Sequence, residues 1–526
     1  MNDSTLSFLV FAGLLAPLLG GILSFFMKGN AARYLALAAS GLALLAGLGV
    51  TFGLMGKAAD ANGFLYFFEG GWFSSPGWDI KLLLGIDGVS GLMLLLSVIL
   101  FPLIILYPQR KPISQPGLYY GMLMLLQGGV IGFFLSLDLL MFYVFFELVL
   151  IPTAFLIGIW GYEDRQKAAL KFFLYTLAGS LLMLMGILYL GLYALPAEGA
   201  TFTTDYFVIR DGLRSGEVAA FDVTARRWLF WAFAISFAIK VPLFPLHTWQ
   251  AITYSQSSTS GSVVLAALLS KMGAYGFIRF CLPYFPEASL FYAPFFGLLA
   301  VISILYGAYL AVVQTDLKRL IAFSSLSHLG FIVLGIFAMT PEAMSGAILQ
   351  MFAHGFTTAG LFFLADMMMQ RHPSREISSF QGVAKQAPTL AFIFMITLMA
   401  SVGLPGLSGF VGEFMILTGS FDSPAISGTF AVLGAIGVIL AAIYLLNMFR
   451  QMMFGPSEGS QAGAFSDLSR GEVAIMLPLV LLMFWVGLYA TPFLGSINFS
   501  TDALMQEMQM ALANVGQAEG WLSFLR

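Results

Sequence analysis

Apolar runs of about twenty residues, separated by short polar links, recur from one end of the chain to the other, and each is long enough as a helix to cross a bilayer. Fourteen are readable: 6–27, 32–56, 86–107, 117–136, 138–160, 167–194, 227–254, 259–282, 290–314, 317–339, 342–369, 387–420, 427–454 and 472–494. They are continuous and rich in Leu, Ala, Met and Phe, without the period-two alternation of barrel strands. The tail, 496–526, differs: Met505, Met508, Met510, Ala511, Leu512, Trp521, Leu522 and Phe524 are interspersed with polar residues, as in an amphipathic segment lying on a surface. The expected fold class is an all-α polytopic membrane protein of about fourteen transmembrane helices.

Composition agrees. The chain has 526 residues, 59% hydrophobic and 10% charged, with 24 basic and 27 acidic side chains. A soluble chain carries about 25% charged residues, so these could not solvate several globular domains. A net charge of −3 argues against nucleic acid as a partner. Cys281 is the one cysteine, which excludes an internal disulfide, a CxxC redox pair and a Cys-ligated Fe–S cluster. Met1, Asn2 and Asp3 lack the basic flank of a signal peptide, so the first span is expected to stay as an anchor.

Lysine and arginine then set the orientation. With the N-terminus outside, the inner loops hold Lys28, Arg33, Arg110, Lys111, Arg165, Lys167, Lys171, Lys318, Arg319, Arg371, Arg375, Lys385, Arg450 and Arg470. The outer segments hold only Lys57, Lys81, Arg210, Arg214, Arg226, Arg227, Arg279 and Arg526. An even number of spans puts both termini outside. Two lysines remain, Lys240 and Lys271, and both fall inside the membrane.

An internal repeat is also readable. The fifth and tenth spans open on Asp138-Leu139 and Asp316-Leu317, 178 residues apart, and Tyr175 and His354 follow at an offset of 179. Next come two proline-interrupted spans, the seventh with Pro242 and Pro245, the twelfth with Pro405 within Gly403-Leu404-Pro405-Gly406. Copies of five spans, an odd number, must be inverted, and inverted repeats with a broken helix in each point to an ion path near the midplane. The expected organisation is an N-terminal segment, 1–115, two five-helix repeats, 116–285 and 286–455, and a C-terminal span with its tail, 456–526.

An ionisable group at mid-bilayer costs at least ~2.5–3.5 kcal/mol. The candidates are Glu147, Lys240, Lys271, His328, His354 and Glu413, with Asp138, His247 and Asp366 nearer span ends or breaks. A lysine stem reaches about 6 Å and the interface is ~15 Å away, so neither Lys240 nor Lys271 can snorkel out. One such lysine could be satisfied by backbone carbonyls as a helix lock. Two, with two glutamates and two histidines spread over six spans, read better as a proton path. A Glu147–Lys240 pair at ~4 Å in an effective dielectric of 20 is worth ~4 kcal/mol, and about 2 at ~8 Å. A proton crossing against ~150 mV needs about 3.5 kcal/mol, so opening and closing the pair moves energy of the required size. The histidines suit proton relay. They suit haem poorly, because His372 lies in a loop and no pair shares a helix at useful spacing. No zinc cluster, P-loop or dinucleotide fingerprint is present in the sequence.

The run Phe237-Ala238-Ile239-Lys240-Val241-Pro242-Leu243-Phe244-Pro245-Leu246-His247-Thr248-Trp249 resembles the signature of the antiporter-like subunits of proton-translocating NADH:quinone oxidoreductase, respiratory complex I. That family also includes the large subunits of multisubunit Na+/H+ antiporters. Leu268-Leu269-Ser270-Lys271-Met272-Gly273, Ser324-Ser325-Leu326-Ser327-His328-Leu329-Gly330 and Gly409-Phe410-Val411-Gly412-Glu413-Phe414 match it too, most firmly over 117–454. The chain most resembles the M-type branch, because Glu413 stands where sister chains typically carry lysine and the chain stops soon after the last span.

The resemblance implies that Glu147 and Lys240 form a switching ion pair, that Lys271, His328 and His354 relay protons along a central axis, and that Glu413 serves the terminal site toward the outside. It implies no cofactor in this chain, with NADH, FMN, Fe–S clusters and quinone in other subunits. The implied partners are L-type and N-type sister chains in a bacterial inner membrane. The alternative is a subunit of a Na+/H+ antiporter.

Overall fold

The structure is a computed structural model and describes residues 3–54, 57, 63–75, 77–108, 112–193, 202–215, 221–454 and 465–514. The apolar runs fold as helices, and several begin where a short polar side chain caps the first turn. Asp87 caps α3 (Gly88–Leu106), Asp138 caps α5 (Leu139–Leu148), Asp316 caps α15 (Leu317–Phe337) and Thr340 caps α16 (Pro341–Arg371). Before and between them run α1 (Asp3–Ser24), α2 (Asn30–Leu54), α4 (Pro116–Leu135), α6 (Leu150–Gly158), α7 (Arg165–Tyr193) and α14 (Pro286–Val312). After them come α20 (Gly428–Phe454) and α21 (Arg470–Leu488), the latter closed by a Ser469/Glu472 capping box.

Twelve segments among the described residues are long and apolar enough to cross a membrane as helices. The two others expected from the sequence are interrupted where their prolines fall. The seventh is split into α9 (Val223–Lys240) and α10 (Gln250–Gln256), the twelfth into α18 (Pro388–Val402) and α19 (Ser408–Phe421). The eighth, α11 (Thr259–Val264), α12 (Ser270–Gly276) and α13 (Leu282–Tyr284), is continuous but carries π-helical turns at Leu265–Leu269 and Phe277–Cys281. Short helices α8 (Tyr206–Ser215) and α17 (Val383–Gln386) lie in links.

The layering follows the burial. The α11–α13 segment, α15 and α16 are buried along their whole apolar lengths, and α16 packs against α3, α15, α18, α19 and α21. The flanking helices α1, α2, α7, α14 and α20 turn large apolar side chains outward, among them Phe8, Tyr34, Met185, Tyr309 and Ile439. That face belongs in lipid.

Links at one end of the bundle add a small sheet not expected from the sequence. β1 (Tyr66–Ser75) and β2 (Trp78–Ile86) pair antiparallel, and β3 (Phe202–Thr203) adds to β2 in parallel. Here also lies α22 (Thr491–Asn514), the described part of the expected surface tail; Trp521, Leu522 and Phe524 lie outside the described residues. Its Ile497, Met505 and Met508 are buried. Ser500 accepts from Gly88 N at 2.8 Å, Thr501 meets Ser345 at 3.0 Å, and Glu507 bonds Arg210 at 2.9 Å.

Close approach of α12 to α9 requires a glycine. A Cβ on Gly273 would stand 2.5 Å from Phe237 O and 2.8 Å from Val241 N, both backbone atoms. Gly273→Val should therefore force the helices apart at a cost of roughly 1–3 kcal/mol. The measurement is thermal stability of the purified protein, with Gly41→Val, whose Cβ meets nothing within 4 Å, as control. Equal stability of the two variants would contradict this packing.

Candidate functional site

The first break exposes backbone that a membrane protein must satisfy internally. It does so with side chains: Trp249 Nε1 donates to Ile239 O at 3.0 Å, Lys171 Nζ to Thr248 O at 2.6 Å, and Phe244 N to Ser303 Oγ at 3.0 Å. Lys240 is the last residue of α9 and is buried. Its Nζ lies 4.5 Å from the centroid of Phe146 and 5.9 Å from that of Phe172, so ring faces hold the amine where no hydrogen bond does. Glu147 stands beside Phe146 at the irregular turn between α5 and α6, and its Oε1 likewise has no hydrogen-bond partner. Glu147 thus adjoins the residue whose ring Lys240 overlies, and no hydrogen bond joins the two groups.

The second set is contiguous. Lys271 follows the first π-helical turn, a distortion that frees carbonyls and is frequent at functional sites. Its Nζ donates to Ala266 O at 2.5 Å, within that turn, and meets His354 Nδ1 at 2.7 Å. The His354 and His328 rings lie 5.6 Å apart, centroid to centroid. His328 Nδ1 is 2.7 Å from Glu413 Oε1, which also accepts from Gln350 Nε2 at 2.9 Å. Four helices, α12, α16, α15 and α19, thus bring Lys271, His354, His328 and Glu413 into one line of buried groups. Nε2 of each of these two histidines has no hydrogen-bond partner among the described residues.

Glu413 is held by the second break. Gly403 and Gly406 adopt φ of +85° and +90°, which carries the chain from α18 into α19. A Cβ on Gly403 would lie 3.2 Å from Glu413 Oε2.

Sequence reading assigned Lys318 to an inner loop, yet it is fully buried at the start of α15. Its Nζ donates to Ser257 O at 3.2 Å and Ser262 Oγ at 3.3 Å, and lies 4.7 Å from the Tyr162 ring centroid. Counting basic residues at span ends absorbs such a lysine. The signal that could have found it is periodicity, because Lys318, Ser325 and His328 share one helical stripe. Arg279, counted as an outer residue, is buried near the other end of the eighth segment, its Nη2 2.6 Å from Asp87 Oδ2. No group of three or more His, Cys, Asp or Glu side chains fit to hold a metal ion is found among the described residues.

The chain is similar to known proteins. Residues 136–441 match the family described as NADH:quinone oxidoreductase/Mrp antiporter, TM. NADH-ubiquinone oxidoreductase chain 4 of Marchantia polymorpha is 38% identical over 433 residues, 82% of this chain and 84% of that protein. NADH-quinone oxidoreductase subunit M of Rhodobacter capsulatus is 39% identical over 445 residues, 83% and 84% of the two chains. A chain in the structure of respiratory complex I from Thermus thermophilus with bound NADH superposes with a TM-score of 0.83 at 32% identity, covering 95% of this chain and 99% of that one.

The two left-handed glycines give a test of the Glu413 site. Gly403→Ala and Gly406→Ala should each cost about 1–2 kcal/mol of stability from backbone strain. Only Gly403→Ala places a methyl against the carboxylate, since the nearest side chain at Gly406 is Leu488 at 3.7 Å. The infrared carboxyl band assigned to Glu413 through Glu413→Gln should therefore move in Gly403→Ala and stay in place in Gly406→Ala.

Proposed function

The chain belongs to the NADH:quinone oxidoreductase/Mrp antiporter membrane family, and we propose that it works there as an M-type subunit that moves protons across the membrane through its buried Glu, Lys and His side chains. It is an antiporter-like membrane subunit of an NADH:quinone oxidoreductase, a translocase. The observation that carries the proton path is the line Lys271–His354–His328–Glu413, with contacts of 2.7 Å at both ends and the two imidazole rings 5.6 Å apart between them.

Each group in that line can take or give a proton at a defined atom. When His354 Nδ1 accepts a proton from Lys271, its Nε2 is free to release one toward His328, and His328 passes it on to Glu413. Reset of Lys271 requires a new proton from elsewhere. In the first half, Lys240 over its ring faces is the corresponding amine and Glu147 the carboxylate that approaches or leaves it. Lys240, Lys271, His328, His354 and Glu413 are all buried. Charge movement between them is therefore strongly coupled, at ~4 kcal/mol for a contact at 4 Å and an effective dielectric of 20.

Two inverted five-helix repeats, 116–285 and 286–455, carry these groups, Glu147, Lys240 and Lys271 in the first and His328, His354 and Glu413 in the second. Supporting this, Asp138 bridges Asp205 at the sheet end of the bundle, whereas the equivalent Asp316 bridges Glu376 at the opposite end. NADH, FMN, Fe–S clusters and quinone belong to other subunits, and L-type and N-type chains are the neighbours. The subunit sits in a bacterial cell membrane with both termini on the periplasmic side.

In membrane vesicles, NADH-driven proton pumping normalised to assembled complex should fall roughly tenfold in Lys271→Ala and in Lys240→Ala, about 1.4 kcal/mol on the transfer step. Parent-level pumping in both would make the amines structural. Pumping that requires Na+ in the medium would favour the antiporter reading.

A further inference from the structure

At the end of the bundle opposite the sheet, a cavity of roughly 1010 Å³ opens between the α6–α7 turn, the start of α11 and the end of α16. Arg165, Glu163, Arg375 and Glu376 are at its wall, and Asp366 and Tyr162 are among its lining residues. Asp366 is 8% exposed and accepts from Tyr107 Oη at 2.8 Å, Gln370 Nε2 at 2.8 Å and Tyr162 Oη at 3.3 Å. All three donors are neutral. Two other buried carboxylates are locked by arginine, Asp87 by Arg279 at 2.6 Å and Glu472 by Arg371 at 2.8 Å. Arg375 stacks on Tyr162, 4.0 Å from the ring centroid, and leaves Asp366 without an arginine partner.

Behind the same ring lies Lys318, so one tyrosine separates a carboxylate at a wide cavity from a buried amine. The relay described above does not use either group. We propose that this cavity is the vestibule through which protons reach the relay, with Asp366 taking them from water and Lys318 carrying them inward toward Lys271. This rests on the reading of the chain as a proton-translocating subunit. In the step, the Asp366 carboxylate takes a proton from vestibule water to become the acid. It then gives that proton to a neutral Lys318 amine, which becomes the ammonium as the carboxylate is restored.

Inward from Lys318, polar groups recur every fourth residue on one face of the eighth segment. Lys318 Nζ bonds Ser262 Oγ. Ser262 is followed by the Ala266 carbonyl and Ser270, which are themselves bonded at 3.0 Å. Lys271 Nζ meets both, at 2.5 Å to Ala266 O and 3.4 Å to Ser270 Oγ. Tyr254 Oη donates to Leu265 O at 3.1 Å on the same stretch. Successive rungs are about 5–6 Å apart, a span one water bridges. The Tyr162 phenol, outside the spans, is pushed well above its ordinary range by burial, so it acts as a fixed donor to Asp366 and does not ionise.

The test uses the purified complex and its NADH:quinone reductase turnover. Asp366→Asn should lower turnover by roughly tenfold, less than a positioned proton-transfer group contributes to a chemical step because water in so wide a cavity substitutes in part. Asp366→Glu should keep most of it, and millimolar formate, a small weak acid that fits the vestibule, should restore Asp366→Asn. Unchanged turnover in Asp366→Asn overturns the proposal. So does a loss that formate does not rescue and that Asp366→Glu shares, which marks a structural carboxylate. If Asp366→Asn does not assemble, Tyr162→Phe keeps the ring over Lys318 and removes only the donor; a loss of about two- to threefold supports the route, and parent turnover overturns it. Lys271→Ala is measured alongside: its loss with Asp366→Asn intact removes the vestibule alone, and parent turnover in both removes the proton-relay reading beneath it.

Discussion

Hydrocarbon offers a buried amine nothing, and everything at the centre of this bundle depends on that. An ionised lysine or a free carbonyl at membrane depth persists only where protein surrounds it. The chain meets the condition by layering. Segments carrying Lys271, Lys318, His328, His354 and Asp366 are the three among the described residues that are buried along their whole apolar length, while the outward-facing α1, α2, α7, α14 and α20 carry no mid-span charge. The helix breaks obey the same rule. Ile239 O, Thr248 O and Phe244 N, freed around Pro242 and Pro245, are each met by a side chain from another turn or helix.

The two sets of buried groups, the second running from Lys271 to Glu413, differ in state. In the second, Lys271 to Glu413 is a line of contacts; in the first, Lys240 rests on Phe146 and Phe172 with Glu147 beside it and no hydrogen bond made. A carboxylate and an imidazole in contact hold a proton at a definite place. An amine over ring faces keeps its charge at a cost that a small displacement of Glu147 would change, since the Coulomb energy halves between ~4 and ~8 Å. The Glu147–Lys240 set is therefore the one whose energy changes most with a small displacement.

What the sequence made legible was set by where polarity is improbable. The helices, the interruptions at Pro242 and Pro405, and the six mid-span ionisable groups all stand out against 59% hydrophobic residues. Contact was not legible: no pattern in one chain says that His328 meets Glu413 85 residues away, or that Lys271 meets His354 and not a carboxylate. Lys318 was hidden by its position two residues after Asp316, where a lysine reads as an inner-loop charge. Only the burial of the α15 start under the α6–α7 turn turns it inward. The sheet was hidden because its strands lie in links that an apolar-run search passes over, and the pairing of Lys81 with Glu69 and Asp205 is as polar as any loop.

The three buried lysines then show a common arrangement. None meets its carboxylate directly: Glu147 adjoins the Phe146 ring that Lys240 overlies, two imidazoles stand between Lys271 and Glu413, and the Tyr162 ring stands between Lys318 and Asp366. Separation matters here because a buried contact pair is hard to open; removing one partner of such a pair typically costs about 3–5 kcal/mol. Arg279 and Asp87, at 2.6 Å, are joined in that way and lie away from the line of relay groups. A carboxylate held near an amine without touching it lowers the cost of a positive charge in the core without fixing the proton on the amine. Glutamate rather than lysine at 413 completes this balance, since a second amine there would leave the Lys271 line with positive charge alone. An interior so arranged can hold one extra proton at a time and still release it.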